Sequence, residues 1–286
     1  MERAEVGMVD VASASAHGSA SSAVELEHVQ LSRGIRVRQL QTTFDEATCL
    51  DAREAEGRAK RILRDGHFDY APVLSEGQLL GYVAEADLET EGEEPVDSQV
   101  RPITSKSIVS GEASFHDLLR WLDSGFLFVL EGNRLTGFVT PADTNRQAAR
   151  SYFYLLVAEV EVGLARLIHA HFQSVDEALN LLSENRRERI QDRRKSDRQE
   201  NLDADVVSYF DFCDLTKVAG GTEAIRLGFS RNKWDDVTGS LTDLRNWVMH
   251  PARSGLSRTY TIARLIDFEE RLIDLSNRIY EEVAAR

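Results

Sequence analysis

Between residues 51 and 143 the apolar and polar positions follow a pattern that occurs twice. In the first copy a polar stretch with helical spacing (51–64) leads through Asp65-Gly66 to a short apolar run (70–74). A turn at Glu76-Gly77 follows, then a second apolar run (79–83) and Asp87. The second copy lies roughly 55 to 60 residues further on. It has a helical stretch (114–123), Gly125, an apolar run (126–130), a turn at Glu131-Gly132-Asn133, another run (135–139) and Asp143. Short apolar runs joined by a glycine-containing turn predict β-hairpins, each preceded by a helix. A unit duplicated in this way predicts two copies that bury a shared face.

Beyond Pro141 the period becomes helical. Residues 142–172 predict one unbroken helix, with Tyr152, Leu156, Val160, Leu164 and Ile168 on its apolar stripe. Further helices are predicted over 175–199, 205–218, 234–250 and 260–285. The third carries Val206, Tyr209, Phe210 and Cys213 on one stripe and is broken by Gly220-Gly221; the fourth is stopped by Pro251. Residues 1–30 are rich in serine and alanine without apolar periodicity. They predict a disordered arm and lack the basic start and apolar core of a signal peptide. The fold class expected is therefore α+β: an arm (1–30), a pair of α/β repeats (31–148) and an all-α bundle (149–286).

Composition adds compartment and partner. The chain has 286 residues, 42% of them hydrophobic, and a net charge of -14. Two cysteines, Cys49 and Cys213, suit a reducing compartment, and no apolar run of about 18 residues is present to span a bilayer. A soluble, cytoplasmic protein is the expectation. Residues 1–150 hold 15 basic and 25 acidic residues, and residues 151–286 hold 19 and 23, so the net charges are -10 and -4. The excess of acid disfavours a polyanion partner for the first half far more than for the second.

The repeat carries Gly81-Tyr82-Val83-Ala84-Glu85-Ala86-Asp87 and, in the second copy, Gly137-Phe138-Val139-Thr140-Pro141-Ala142-Asp143. With Asp69-Tyr70-Ala71-Pro72-Val73-Leu74 before the first of these, it resembles the paired cystathionine-β-synthase (CBS) domain. That resemblance covers about 110 residues. It implies a regulatory adenine nucleotide (AMP, ADP or ATP) whose ribose is held by Thr140 and Asp143. Ala84 leaves only Asp87 in the first copy, so one good site is implied. The plain alternative is that Thr140-Pro141-Ala142-Asp143 is a helix start: a threonine cap, proline at the first position, an acid beside free N–H groups.

In the second half, Arg245-Asn246 followed by His250-Pro251 resembles the HEPN family, whose hallmark is an arginine, a polar residue and a histidine after four to six intervening positions. The resemblance covers roughly residues 152–285 and implies a dimeric, metal-independent ribonuclease with a composite site. The chemistry is coherent on its own terms. Arg245 offers a forked cation to phosphate, Asn246 a second donor, and His250 a proton-transfer group at a helix C-terminus. RNA cleavage by the 2′-OH needs a base, an acid and charge stabilisation. A single histidine supplies one proton transfer, and two chains around a two-fold axis supply both. The partners expected are thus a second copy and RNA, with no catalytic cofactor, metal or membrane. Ala252 stands where some relatives carry a tyrosine. The plain alternatives are that His250 caps the helix and Arg245 pairs with Asp243 or Asp274, leaving a non-enzymatic sensor or adaptor. The run from Arg186 to Arg198 reads either as a solvated helix with i,i+4 pairs around Glu184 and Glu188 or as a surface that tracks an RNA backbone.

Overall fold

The computed structural model describes residues 27–122, 125–202, 204–250 and 261–285. Most of the proposed arm, Pro251 and Ala252 lie outside the described residues. Within the range assigned to the arm, Glu27 already begins α1 (Glu27–Ser32).

The duplicated pattern becomes two four-stranded sheets. In chain order the elements are β1 (Thr42–Thr43), β2 (Leu50–Asp51), α2 (Glu56–Asp65), β3 (Tyr70–Ser75), β4 (Gln78–Ala84), β5 (Arg101–Pro102), β6 (Ile108–Ser110), α3 (Phe115–Trp121), β7 (Leu127–Glu131) and β8 (Arg134–Val139). One sheet has the order β2-β3-β4-β5 and the other β1-β8-β7-β6. In each, the first strand of the repeat lies parallel to the first strand of its hairpin, as a helical crossover requires. The edge strands are exchanged. β5 completes the first hairpin (Tyr82 opposite Arg101), and β1, from the start of the chain, completes the second (Phe138 opposite Thr42). The registers equate Pro72 with Phe128 and Tyr82 with Phe138.

Two glycines make this exchange possible. A Cβ on Gly81 would lie 2.2 Å from the carbonyl oxygen of Arg101, and one on Gly137 2.2 Å from that of Thr42. Any side chain there would push the edge strand away. Between the sheets, Phe126 is stacked on Tyr82 at 4.4 Å and on Phe138 at 4.8 Å. That aromatic stack is the shared face.

The remaining described elements are helical: α4 (Gln147–His171), α5 (Val175–Leu179), α6 (Glu184–Gln199), α7 (Phe212–Gly221), α8 (Arg231–Met249) and α9 (Ile262–Ala284). The single helix expected over 142–172 is broken. A 3₁₀ turn, Pro141–Asn145, ends at Arg146, whose extended backbone (φ −64°, ψ 156°) restarts the chain as α4. Apolar periodicity runs across the break because it reports facing, not continuity. The helix expected over 175–199 is two helices, parted where Ser183 starts α6. That over 205–218 begins instead as a 3₁₀ turn (Val206–Tyr209), because Asp211 caps α7 by accepting the N–H of Asp214. This rotation buries Phe212 and exposes Cys213. Gly220 does not break α7; it lets Trp234 close in, where a Cβ would sit 2.6 Å from the indole.

The core is divided unevenly. The first repeat keeps its own cluster around Leu63, Val73 and Val83. The second repeat contributes Phe115, Leu119, Leu127 and Val139 to the same cluster as Tyr152, Leu164, Trp234 and Phe268 of the helices. One polar group is embedded in that joint core. Glu269 of α9, fully buried, accepts from the Tyr152 hydroxyl of α4, meets the His116 Nδ1 of α3 at 3.0 Å and accepts from Arg120 of α3 at 2.8 Å. Burial first, and then the neighbouring carboxylate, hold the Tyr152 phenol well above its ordinary range, so it stays a donor.

Candidate functional site

At the end of β8, Thr140 has extended backbone (φ −130°, ψ 169°), and Pro141 starts the 3₁₀ turn with a preset φ. Asp143, 8% exposed, turns back on it. One carboxylate oxygen accepts the Thr140 N–H at 2.8 Å and the Thr140 hydroxyl at 3.0 Å; the other accepts Arg146 Nε at 2.7 Å and the Thr42 hydroxyl at 3.3 Å. Arg146 Nη2 donates to the same Thr42 hydroxyl at 2.6 Å. The plain helix-start reading is thus realised as local structure. The same two residues also line a cleft, so cap and candidate site coincide.

That cleft encloses about 200 Å³. Its walls are the segment after β1 (Thr42, Glu46–Thr48), the α2–β3 turn (His67–Tyr70) and the end of β8 with its turn (Phe138, Thr140, Ala142 and Asp143). The lining is mainly apolar in area, with hydroxyl and carboxylate groups contributed by all three walls. Among the described lining residues Glu46, Asp69 and Asp143 are acidic and none is lysine or arginine. Arg146 reaches the cleft only through its hydrogen bonds to Asp143 and Thr42.

Asp87 is not part of this cleft. It is the first-repeat counterpart of Asp143, and it is held by Arg101 Nε at 2.9 Å and Nη2 at 2.6 Å. The Arg101 guanidinium also lies 5.9 Å from the centre of the Tyr82 ring. Arg101 occupies the register position of Thr42, and Tyr82 that of Phe138. In the first repeat the acid is thus paired with a cation from the edge strand, where the second repeat has Thr42. Thr42 and Arg146 were missed from sequence. Thr42 reaches Asp143 from 101 positions away in the sequence, and no local motif marks it. Arg146 did carry a signal, lying three positions after Asp143.

The second candidate set lies on α8. Arg245 approaches Glu161 of α4 at 3.6 Å, not Asp243 or Asp274; Asp274 is taken by Arg278 at 2.8 Å. Burial pushes the Glu161 carboxyl up, Arg245 draws it down, and Asp211 adds to the rise. Asn246 is half-buried and His250 is exposed at the helix end. No hydrogen bond joins Arg245, Asn246 and His250 to one another among those described. The cation at the C-terminal carbonyls of α8 is Arg150 of α4, which donates to Trp247 O at 2.8 Å and His250 O at 3.4 Å, with its guanidinium 4.8 Å from the Trp247 ring. The place that the plain alternative gives to His250 is thus taken by Arg150. Among the described residues no group of three or more His, Cys, Asp or Glu could hold a metal ion, and no helix is long and apolar enough to cross a membrane.

No protein-family model matches the chain, and no curated protein matches it. Solved structures similar to part of it are CBS-domain proteins. The CBS domain of a bacterial CNNM/CorC family Mg2+ transporter in complex with ATP shares 19% identity and covers 45% of this chain and 94% of its own, with a TM-score of 0.36. CBSX2 in complex with AMP shares 19% identity over 41% of this chain and 98% of its own, with a TM-score of 0.35. A hemolysin-like protein containing a CBS domain from Oenococcus oeni PSU shares 14% over 43% of this chain and 96% of its own, also at 0.35.

Proposed function

We propose that the paired repeats form a nucleotide sensor that controls the helical half, and that the helical half is a metal-independent ribonuclease acting as a cytoplasmic homodimer. The observation that carries the sensor reading is the cleft between the repeats. Its apolar walls fit adenine, and Thr140 and Asp143 are there to meet ribose hydroxyls. A ligand there would compete with Arg146 for Asp143. Arg146 is the residue at which the chain restarts as α4, so the exchange acts on the joint between turn and helix. A ligand that binds the two arrangements of this joint unequally shifts their populations. AMP and ATP are the compounds to titrate by calorimetry. The expected result is one site per chain. It is lost in Ala142→Trp, which fills the cleft from an exposed position and leaves the melting temperature unchanged, and weakened in Asp143→Asn. Absence of heat with both compounds, or unchanged binding by Ala142→Trp, would refute the sensor.

The ribonuclease reading rests on the Arg245, Asn246 and His250 set at one helix end. Single-stranded RNA incubated with a chelator is expected to be cleaved by wild type and at least 100-fold more slowly by His250→Ala, the low end of what one proton-transfer group contributes, about 10²–10⁴-fold. Equal rates would leave the second reading, a non-enzymatic adaptor. The contact of Arg245 with Glu161 favours that reading, since it gives Arg245 a purely structural partner.

A further inference from the structure

We propose that a cleft between α6 and α7, separate from both sites above, holds the backbone phosphates of a single-stranded RNA. The cleft has a volume of about 300 Å³ and is lined almost entirely by polar groups. Its inner wall is Arg186, which is held at 2.8 Å by Asp211 and at 2.5 Å by Asp214. Both carboxylates are engaged a second time in capping α7, with the Asp211 N–H donating to Asp214 at 3.0 Å and the Asp214 N–H to Asp211 at 3.1 Å. The acids are therefore committed within the protein. The two other cations of the lining, Arg189 on α6 and Lys217 on α7, are exposed and make no ion pair among the described residues. Asn185 and the hydroxyl of Ser183, which makes no cap hydrogen bond in α6, complete a set of donors facing one opening.

This arrangement suits phosphate oxygens. It has no aromatic or apolar wall against which a base could be recognised, so it reads charge and not sequence. It also decides how the basic stretch of α6 is used. The arginines there do not pair along the helix with Glu184 and Glu188; Arg186 reaches α7 and Arg194 reaches Asp176 of α5 at 3.7 Å. The choice of a strand over a free anion comes from the spread of the donors, with Arg189 on one helix and Lys217 on the other. Asp211, at the cleft, also acts on Glu161, the partner of Arg245. The choice of RNA rests on the ribonuclease reading; the phosphate cleft does not.

The test is binding of a short fluorescent 2′-O-methyl RNA strand, which cannot be cleaved, to the full chain by anisotropy across a salt series. Wild type is expected to bind, and Arg189→Glu/Lys217→Glu to bind at least tenfold more weakly. The neutral pair Arg189→Gln/Lys217→Gln should lower the slope of log K against log salt by about 1.4, at roughly 0.7 per phosphate contact on single strands. Both residues substituted in the two pairs are exposed, and unchanged melting temperatures confirm folding. If no variant and no wild type cleaves RNA, yet the double variants lose the strand, the cleft stands and the ribonuclease reading falls. Absence of wild-type binding, or equal binding by the double variants, would overturn the cleft.

Discussion

Glu269→Ala is expected to lower the unfolding free energy by about 3 kcal/mol, the low end for a buried ion pair that loses one partner. The low end applies because Arg120 keeps 36% of its side chain exposed and recovers part of its hydration. The cost has two sources. The Tyr152 hydroxyl, buried and held protonated, is left without its acceptor. Arg120 and His116 lose the anion that ties α3 of the second repeat to α4 and α9. Glu269→Gln keeps an acceptor for Tyr152 and should cost clearly less. Urea unfolding of the full chain reads both. A loss below about 1 kcal/mol for Glu269→Ala, the scale of an exposed ion pair, would show that the network is not a structural tie.

Gly137→Ala is the second large effect, and its control is built into the fold. The added methyl would sit 2.2 Å from Thr42 O, and the same change at Gly81 would sit 2.2 Å from Arg101 O. Both neighbours are backbone, so the edge strand must move, at a cost of about 1–3 kcal/mol as for an overpacked interior. The two differ in what moves. Gly137→Ala displaces β1 and with it Thr42, a wall of the cleft and a donor to Asp143. Gly81→Ala displaces β5, which builds no part of that cleft. Calorimetry with AMP should therefore show nucleotide binding lost in Gly137→Ala and retained in Gly81→Ala, although both melt earlier. Retention in both would mean that β1 does not shape the site.

What could be read in advance follows from how far each feature reaches along the chain. The strands of both hairpins fall within a residue or two of the apolar runs, because alternation and a glycine turn are local signals. Thr140 and Asp143 were legible for the same reason: cap, proline and acid lie within four positions. The break at Arg146 was not, since the helical stripe stays in phase on both sides while the side chain folds back on Asp143 and Thr42. Nor was Arg150, which looks like an ordinary helix-surface cation yet is 4% exposed and caps a helix 97 positions later in the sequence. Glu269 reads as one more acid in a helix rich in them. Its burial is decided by His116, 153 positions away, and by Tyr152. Long-range polar pairing leaves no period in the sequence.

The Arg101–Asp87 contact makes the duplicated half unequal in kind. A side chain fixed by the backbone beside its own acceptor has an effective concentration that no free metabolite need match. Arg101 is such a tethered partner for Asp87, as Arg146 is for Asp143, but Arg101 belongs to the edge strand of a sheet and Arg146 to the joint between turn and helix. Only the second repeat has an interior continuous with α4, so a displacement of Arg146 would act directly on the helical core. One cation is locked into a sheet and the other is poised at a joint, so on the sensor reading binding within one chain should follow a simple hyperbola with no cooperativity.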